Sequence, residues 1–409
     1  MESTVFLIDM QSFYASIEKA LQPRFQDRPL VVSGDPERRS GVILAACPLA
    51  KSYGIKNAIT LREAEERCPG LVVVRPRMAL YLQASLRITE ILGRFSDLVE
   101  PYSIDEQFIS IRGCEALFGP PREIARKIQQ TIALQLGLHA RVGIGPNKVL
   151  SKMACDNFAK KSEHGLFELT QDNLKTHLWP LPVEKMFGVG KRMGRHLRRM
   201  GITTIGDLAR CPLVRLQKRW GVNGHVLWMT ANGIDLSPVH PHTFQKQKAI
   251  GHQMTLPRDY RTEEEIRVVL LELCEEVCRR TRQQRQVGLT ISVGCRGADF
   301  DFPTGFHRQY TMPEATNHTM TVFHYAWALF TRFWDGQPIR SLGISLGNLA
   351  DDQPMQLSLF ENDDKKHRLG YVMDKINQRF GPTAILRAAS LTRAGQALER
   401  AQKIGGHYR

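Results

Sequence analysis

Pro101-Tyr102-Ser103-Ile104-Asp105-Glu106-Gln107-Phe108-Ile109-Ser110-Ile111 sets two adjacent carboxylates into what otherwise reads as a strand. Phe108 and Ser110 alternate with Ile109 and Ile111, the period of two of a half-buried strand. In a straight strand Asp105 and Glu106 would point to opposite faces. They can serve one site only where the chain turns or bulges, and Pro101 and Ser103 just upstream suit a turn. Buried together without a partner, the two acids would cost several kcal/mol, for which a bound divalent cation is the usual remedy. A solvated pair at a hairpin tip is the alternative. The stretch alone leaves both open.

Working outward, Val5-Phe6-Leu7-Ile8 reads as a short buried strand that stops at Asp9. Ser12 can then cap a helix with Phe13, Tyr14, Ile17 and Ala20 at helical spacing. A carboxylate at a strand end followed by a helix N-terminus suits a metal-bound phosphate, with free N–H groups near Phe13 and Tyr14 taking the anion. Asp9 as a plain helix-start residue is the other reading. Residues 21–77 read as a small α/β segment, with strands over 29–33 and 41–46, a polar turn at 34–40 and helices near 49–53 and 60–67. Arg38, Arg39 and Lys51 are its cationic candidates. Helices follow over 78–95 and 123–136, with a strand over 140–144 and a helix over 148–160. On that last helix Lys148, Lys152 and Lys160 recur in multiples of four with Asp156 between them, giving a basic stripe or a solvated face.

Residues 172–233 read as several short helices. Gly188-Val189-Gly190 between two of them has the helix-hairpin-helix pattern, whose glycines expose N–H groups to a phosphate. Lys191, Arg192, Arg195, Arg198 and Arg199 supply charge beside it. Pro238, Pro241 and polar neighbours mark 234–247 as a linker. Beyond it the order βαββαβ predicts a split βαβ, a four-stranded sheet with helices on one face. Its strands fall near 249–256, 289–295, 306–310 and 341–346 and its helices over 262–285 and 315–333. Thr262 and Glu265 have capping-box spacing, and Phe323, Trp327, Phe330 and Phe333 read as core. Gln356-Leu357-Ser358-Leu359-Phe360 is an apolar island in acidic surroundings, which should fold back or dock elsewhere. Residues 368–391 read as a helix and then a strand.

The chain has 409 residues, 42% hydrophobic and 24% charged, values that fit a packed soluble protein of about two to four domains. No apolar run approaches the roughly 18–20 residues of a membrane span. The first residues lack the basic flank of a signal peptide. Eight cysteines form no CxxC pair; Cys274 and Cys278, four apart on a helix, read as core, and a reducing cytoplasm is expected. A net charge of +15 points to a polyanionic partner, nucleic acid above an anionic membrane.

Several of these motifs, in this order, resemble the Y-family DNA polymerases, the translesion enzymes of the DinB and UmuC types. They are Asp9 with Phe13-Tyr14-Ala15-Ser16-Ile17-Glu18, Ser103-Ile104-Asp105-Glu106, and Val142-Gly143-Ile144-Gly145-Pro146-Asn147-Lys148-Val149-Leu150-Ser151-Lys152-Met153-Ala154. Gly251-His252-Gln253-Met254-Thr255-Leu256-Pro257 and the hairpin motif complete the set. The resemblance spans residues 1–360, and Ile404-Gly405-Gly406-His407-Tyr408-Arg409 is similar to the ending of UmuC-like, UvrX-type proteins of Gram-positive bacteria.

The resemblance implies a multidomain α/β (α+β) right-hand polymerase. A ferredoxin-like palm would take 1–10 and 78–166, small fingers 11–77, a helix-hairpin-helix thumb 167–233, a linker 234–247, a βαββαβ little finger 248–350 and a tail 351–409. By the family pattern Asp9, Asp105 and Glu106, with the Met10 carbonyl, hold two Mg²⁺ ions (Mn²⁺ may substitute) for nucleotidyl transfer from a dNTP to a primer 3′-OH. Phe13, Tyr14, Lys51 and Lys160 would bind the nucleotide, with Tyr14 as the steric gate against a 2′-OH. Gly188, Gly190, Lys191, Arg192 and Arg195 would hold primer-template DNA. Gln356, Leu357, Leu359 and Phe360 would bind the bacterial sliding clamp. A cytoplasmic monomer of low fidelity is expected. Three features depart from the pattern. Gln11 replaces a frequent second acid, Pro48 and Lys51 stand where DinB-type members have Tyr and Arg, and 157–161 carries one extra residue, which leaves Lys160 or Lys161 as the triphosphate ligand. Lys51 is a point charge rather than a bidentate fork.

Overall fold

The first strand, β1 (Val5–Met10), is buried along its whole length, so it needs cover on both faces and neighbours on both edges. In a computed structural model, which describes residues 4–34, 41–243, 247–299, 301–352 and 363–408, β1 is the centre of the first of two units. That unit spans 4–33 and 42–243; the second holds the described residues from 247 onwards.

After β1 come α1 (Phe13–Leu21), β2 (Leu30–Ser33), β3 (Ile43–Ala46), α2 (Pro48–Ser52), α3 (Leu61–Arg67) and β4 (Val72–Val74). Strands β3-β2-β4 form a small three-stranded sheet. Next are α4 (Met78–Leu92), β5 (Val99–Pro101), β6 (Glu106–Ser110), α5 (Glu115–Phe118), α6 (Pro121–Leu136), β7 (Ala140–Gly145), α7 (Lys148–Asn157) and β8 (Leu166–Glu168). They complete a five-stranded sheet of order β5-β6-β1-β7-β8. The strand expected to stop at Asp9 continues through Met10, so Asp9 is a ladder residue facing Glu106.

Helix α7 lies directly on this sheet because two strand positions lack a side chain. A Cβ on Gly143 would sit 2.0 Å from the Ser151 carbonyl, and one on Gly145 would sit 2.7 Å from the Ser151 nitrogen. Asn147 caps the helix by accepting from the Leu150 N–H. The helix expected to reach 160 ends at Asn157. Phe158 leaves helical geometry, and Ala159–Lys161 form a 3-10 turn.

Short helices follow: α8 (Leu174–His177), α9 (Lys191–Arg199), α10 (Ile205–Arg210), α11 (Leu213–Trp220) and α12 (Val222–Ala231). The first limb of the hairpin motif is only a 3-10 turn, Val183–Lys185. Gly188 takes φ +84° at the bend, which favours a residue without a Cβ. Gly190 caps α9, whose first N–H groups receive no side-chain cap, and Lys191, Arg192 and Arg195 are exposed around it. Residues 234–243, read from sequence as linker, are tied to this unit. The Val149 N–H donates to Asp235, the His240 N–H donates to Glu100 Oε2 at 3.0 Å, and Val239 is buried beside Val5, Leu7 and Phe108.

The second unit is β9 (Ala249–Tyr260), α13 (Glu263–Gln283), β10 (Gln286–Gly297), β11 (Gly305–Thr316), α14 (Thr319–Phe333) and β12 (Ile339–Asp351), with sheet order β11-β10-β12-β9. Each adjacent pair is antiparallel, so β9 runs parallel to β10 with β12 between them, the split βαβ expected. Residues 315–316, read as helix, end β11 instead. Thr262 accepts from the Glu265 N–H, while Glu265 takes Arg258 and the Arg261 N–H. Phe323, Phe330, Cys274 and Cys278 are buried; Trp327 is partly buried and Phe333 reaches the surface.

Past the apolar peptide 356–360, which lies outside the described residues, come α15 (Asp363–Phe380), a 3-10 turn at Ala388–Leu391, α16 (Ala397–Arg400), β13 (Lys403–Ile404) and β14 (His407–Tyr408). The strand expected before Leu391 does not form. Arg387 pairs instead with Glu275 of α13 at 2.5 Å, and further on buried Glu272 of the same helix accepts the Gln396 and Ala397 N–H groups.

Candidate active site

Asp9 and Glu106 are direct partners across β1 and β6, so their side chains leave the sheet on one face. That face is the one α7 covers. Asp105 precedes β6 in the turn, as two carboxylates sharing a site require. Ser103 organises the turn. Its Oγ donates to Asp105 Oδ1 at 2.7 Å and accepts from the Glu106 N–H at 3.1 Å, while the Asp105 carbonyl accepts from the Met10 N–H at 3.0 Å.

A cleft of about 530 Å³ opens here, and every residue expected to hold metal or nucleotide lines it: Asp9, Met10, Phe13, Tyr14, Lys51, Asp105, Glu106 and Lys160. Lys160, and not Lys161, is on its wall. Phe13 is 3% exposed, so its ring belongs to the core and its backbone to the site. Ser12, expected to cap α1, sits in left-handed geometry (φ 51°) and makes no cap bond. Its hydroxyl accepts from Lys51 Nζ at 2.8 Å. The N-terminal N–H groups of α1 therefore have no side-chain cap, the arrangement in which a helix end can take an anion. Tyr14 stacks on Tyr81 with ring centroids 4.4 Å apart. Gln11, Asn57 and Arg141 line the cleft too; the sequence offered no motif for Asn57 and Arg141, and Gln11 stands where the family pattern often has a second acid.

Each lysine of the stripe is ion-paired, Lys148 and Lys152 in largely buried pairs and Lys160 with its side chain still 39% exposed. Lys148 pairs with Glu100 at 3.1 Å, Lys152 with Glu106 at 2.5 Å and Asp156 at 3.2 Å, and Lys160 with Asp9 and Asp156, both at 2.7 Å. Oxygens of Asp9, Glu106 and Asp156 fall within 4.8 Å of one another. Burial, then the hydrogen bond to Glu106, pushes Asp9 up to about 7 against the opposing pull of Lys160. Burial opposes the charge on Lys160, yet Asp9 and Asp156 hold it above the ordinary range. Lys51, desolvated and facing the Lys160 charge, is held below it. The cleft thus has an excess of acid at its floor and cations at one wall. That donor set fits hard divalent cations bound through oxygen, with a polyphosphate alongside.

The sequence profile of the impB/mucB/samB family matches residues 8–156, and that of its C-terminal domain matches 247–359. The thumb-domain profile described for DNA polymerase-iota matches 184–235. The chain belongs to this family, that of the Y-family DNA polymerases. Within it the chain falls in the UvrX-like branch of Gram-positive bacteria. It is 62% identical over 409 residues to DNA polymerase IV 2 of Bacillus subtilis, covering 100% of this chain and 99% of the relative. It is 56% identical to DNA polymerase IV 2 of Halalkalibacterium halodurans, covering 100% of both. To UvrX of Bacillus subtilis it is 42% identical, covering 98% of this chain and 97% of the relative. In fold it is similar to a solved Y-family DNA polymerase chimera of Dbh and Dpo4 (TM-score 0.71, 24% identity, 85% of this chain and 99% of the other).

The Asp9 shift has a consequence for stability. Between its ordinary value of 3.8 and about 7, the folded chain keeps a proton that the unfolded chain releases, so stability falls as pH rises through that window. In chelator, thermal unfolding should therefore move to lower temperature between about pH 5 and pH 8. Asp9→Asn should flatten that slope, and added Mg²⁺ should restore the unsubstituted protein at the higher pH. An identical slope in Asp9→Asn would contradict the assignment.

Proposed function

We propose that this chain is a template-directed DNA polymerase of the translesion class, joining a dNTP to a primer 3′-OH. The observation that carries the reading is the pairing of Asp9 with Glu106 in register, Asp105 at the same mouth, beside a free helix N-terminus. Asp9, Asp105 and Glu106, with the Met10 carbonyl, would hold two Mg²⁺ ions. When bound, such a pair lowers the pKa of the attacking hydroxyl and neutralises the leaving pyrophosphate.

The chain's own residues do the rest. The N-terminal N–H groups of α1, Lys51 and Lys160 receive the triphosphate. Lys51, held below its ordinary pKa by burial and by Lys160, gains most from an arriving anion. Tyr14, its ring fixed by Tyr81, lies under the sugar and leaves no room for a 2′-OH. Gly188, Gly190, Lys191, Arg192 and Arg195 bind duplex backbone without reading sequence, which fits a net charge of +15. The peptide 356–360 binds the sliding clamp. The chain acts as a cytoplasmic monomer; among the described residues no helix is long and apolar enough to cross a membrane.

Asp105→Ala or Glu106→Ala should lower Mg²⁺-dependent primer extension by more than about a hundredfold, beyond the effect usual for outer-shell changes, with duplex binding intact. Undiminished extension would sink the reading. Tyr14→Ala should raise ribonucleotide use relative to deoxyribonucleotide use by at least about tenfold; an unchanged ratio would remove the gate. Deleting 356–360 should abolish stimulation by the clamp and spare clamp-free extension, and stimulation that survives the deletion would rule the peptide out.

A further inference from the structure

Asp156 does not line the cleft, yet one of its oxygens lies within 4.8 Å of those of Asp9 and Glu106, and the catalytic reading does not use it. Its two oxygens are divided between two lysines, Oδ1 taking Lys160 Nζ at 2.7 Å and Oδ2 taking Lys152 Nζ at 3.2 Å. Each lysine passes on to an acid of the floor, Lys160 to Asp9 Oδ2 at 2.7 Å and Lys152 to Glu106 Oε1 at 2.5 Å. The result is an alternating chain of charge, Asp9–Lys160–Asp156–Lys152–Glu106, with Asp156 at its midpoint. The spacing is local in origin. Residues 152, 156 and 160 follow one another at four-residue intervals, one face of a helix, and the 3-10 turn Ala159–Lys161 keeps Lys160 in reach after α7 has ended.

Only one of these anions is spared in the working state. With divalent cations held by Asp9 and Glu106, both ammonium groups would need another anion as partner. Asp156 remains to hold them. Its side chain is 35% exposed, shallow enough to let Lys160 swing.

We propose that Asp156 is a positioning residue for the incoming nucleotide. It latches Lys160 at the cleft wall, from which the ammonium transfers to the triphosphate, and it retains Lys152 as its second partner. The inference rests on the reading of Lys160 as a triphosphate ligand.

The test is equilibrium dNTP binding to the full chain on a dideoxy-terminated primer-template, which reports affinity without chemistry. Asp156→Asn should weaken dNTP binding about tenfold, the loss of one charge-assisted hydrogen bond near the surface. Asp156→Glu, which retains the charge, should recover most of it. In a Lys160→Met background the Asp156→Asn change should add less than about twofold, because the residue acts through Lys160. Unchanged affinity in Asp156→Asn, or a full additive loss in the Lys160→Met background, would overturn the latch alone. Unchanged affinity in Lys160→Met would remove the Lys160 reading and the latch with it. Mn²⁺ binding without nucleotide, followed by electron paramagnetic resonance, should be no weaker in Asp156→Asn; a weaker value would make Asp156 a metal ligand and refute the positioning role.

Discussion

Two carboxylates set opposite each other on a covered face of a sheet cannot both ionise without a counter-charge. Asp9 and Glu106 are in that position. At 4 Å and an effective dielectric near 20, such a pair repels by about 4 kcal/mol. The chain answers in two ways: Asp9 holds its proton to about 7, and lysines from α7 and the turn after it reach in to both acids. An apolar neighbour would have made the repulsion permanent. A lysine on a long stem can yield to a divalent cation, so the same contacts that keep the metal-free cleft folded leave it ready to be charged.

The lysines can do this only because α7 sits unusually close to β7. Gly143 and Gly145 permit backbone contact that any Cβ would forbid. Packing of this kind is unforgiving, since a side chain inserted at either position must displace a helix rather than a neighbouring side chain. The glycines thus bear on catalysis through distance alone. They fix how far Lys152 and Lys160 stand from the acids, and through Asn147 they fix where the helix begins.

Much of this was legible in the sequence. The alternation after Glu106, the apolar run before Asp9 and the βαββαβ order are local patterns, and local patterns survive folding. The turn that brings Asp105 and Glu106 to one mouth could be demanded in advance, because a straight strand would have separated them. What could not be read was partnership at long range. A lysine every fourth residue describes a solvated face and a face of ion pairs equally well, and Glu100, Glu106 and Asp9 lie far from it in the chain. Asp156 read as an interruption of that stripe for the same reason. The strand read before Leu391 failed differently: a 3-10 turn at Ala388–Leu391 stands there instead, and Arg387 beside it is paired with Glu275 on α13.

The other wall of the cleft bears on fidelity. It comes from the small sheet β3-β2-β4, whose strands are only 3–4 residues long, and the residues it presents are Leu44, Ala45 and Ala46. Discrimination between correct and incorrect nucleotides needs binding energy that depends on the shape of the nascent pair. Short side chains on short strands make few such contacts, so a distorted pair loses little relative to a correct one. The strong interactions in this cleft are electrostatic, the pairs of Lys152 and Lys160 with Glu106 and Asp9, and none of them depends on a base. Such a wall offers little to tell one base from another, as translesion synthesis requires.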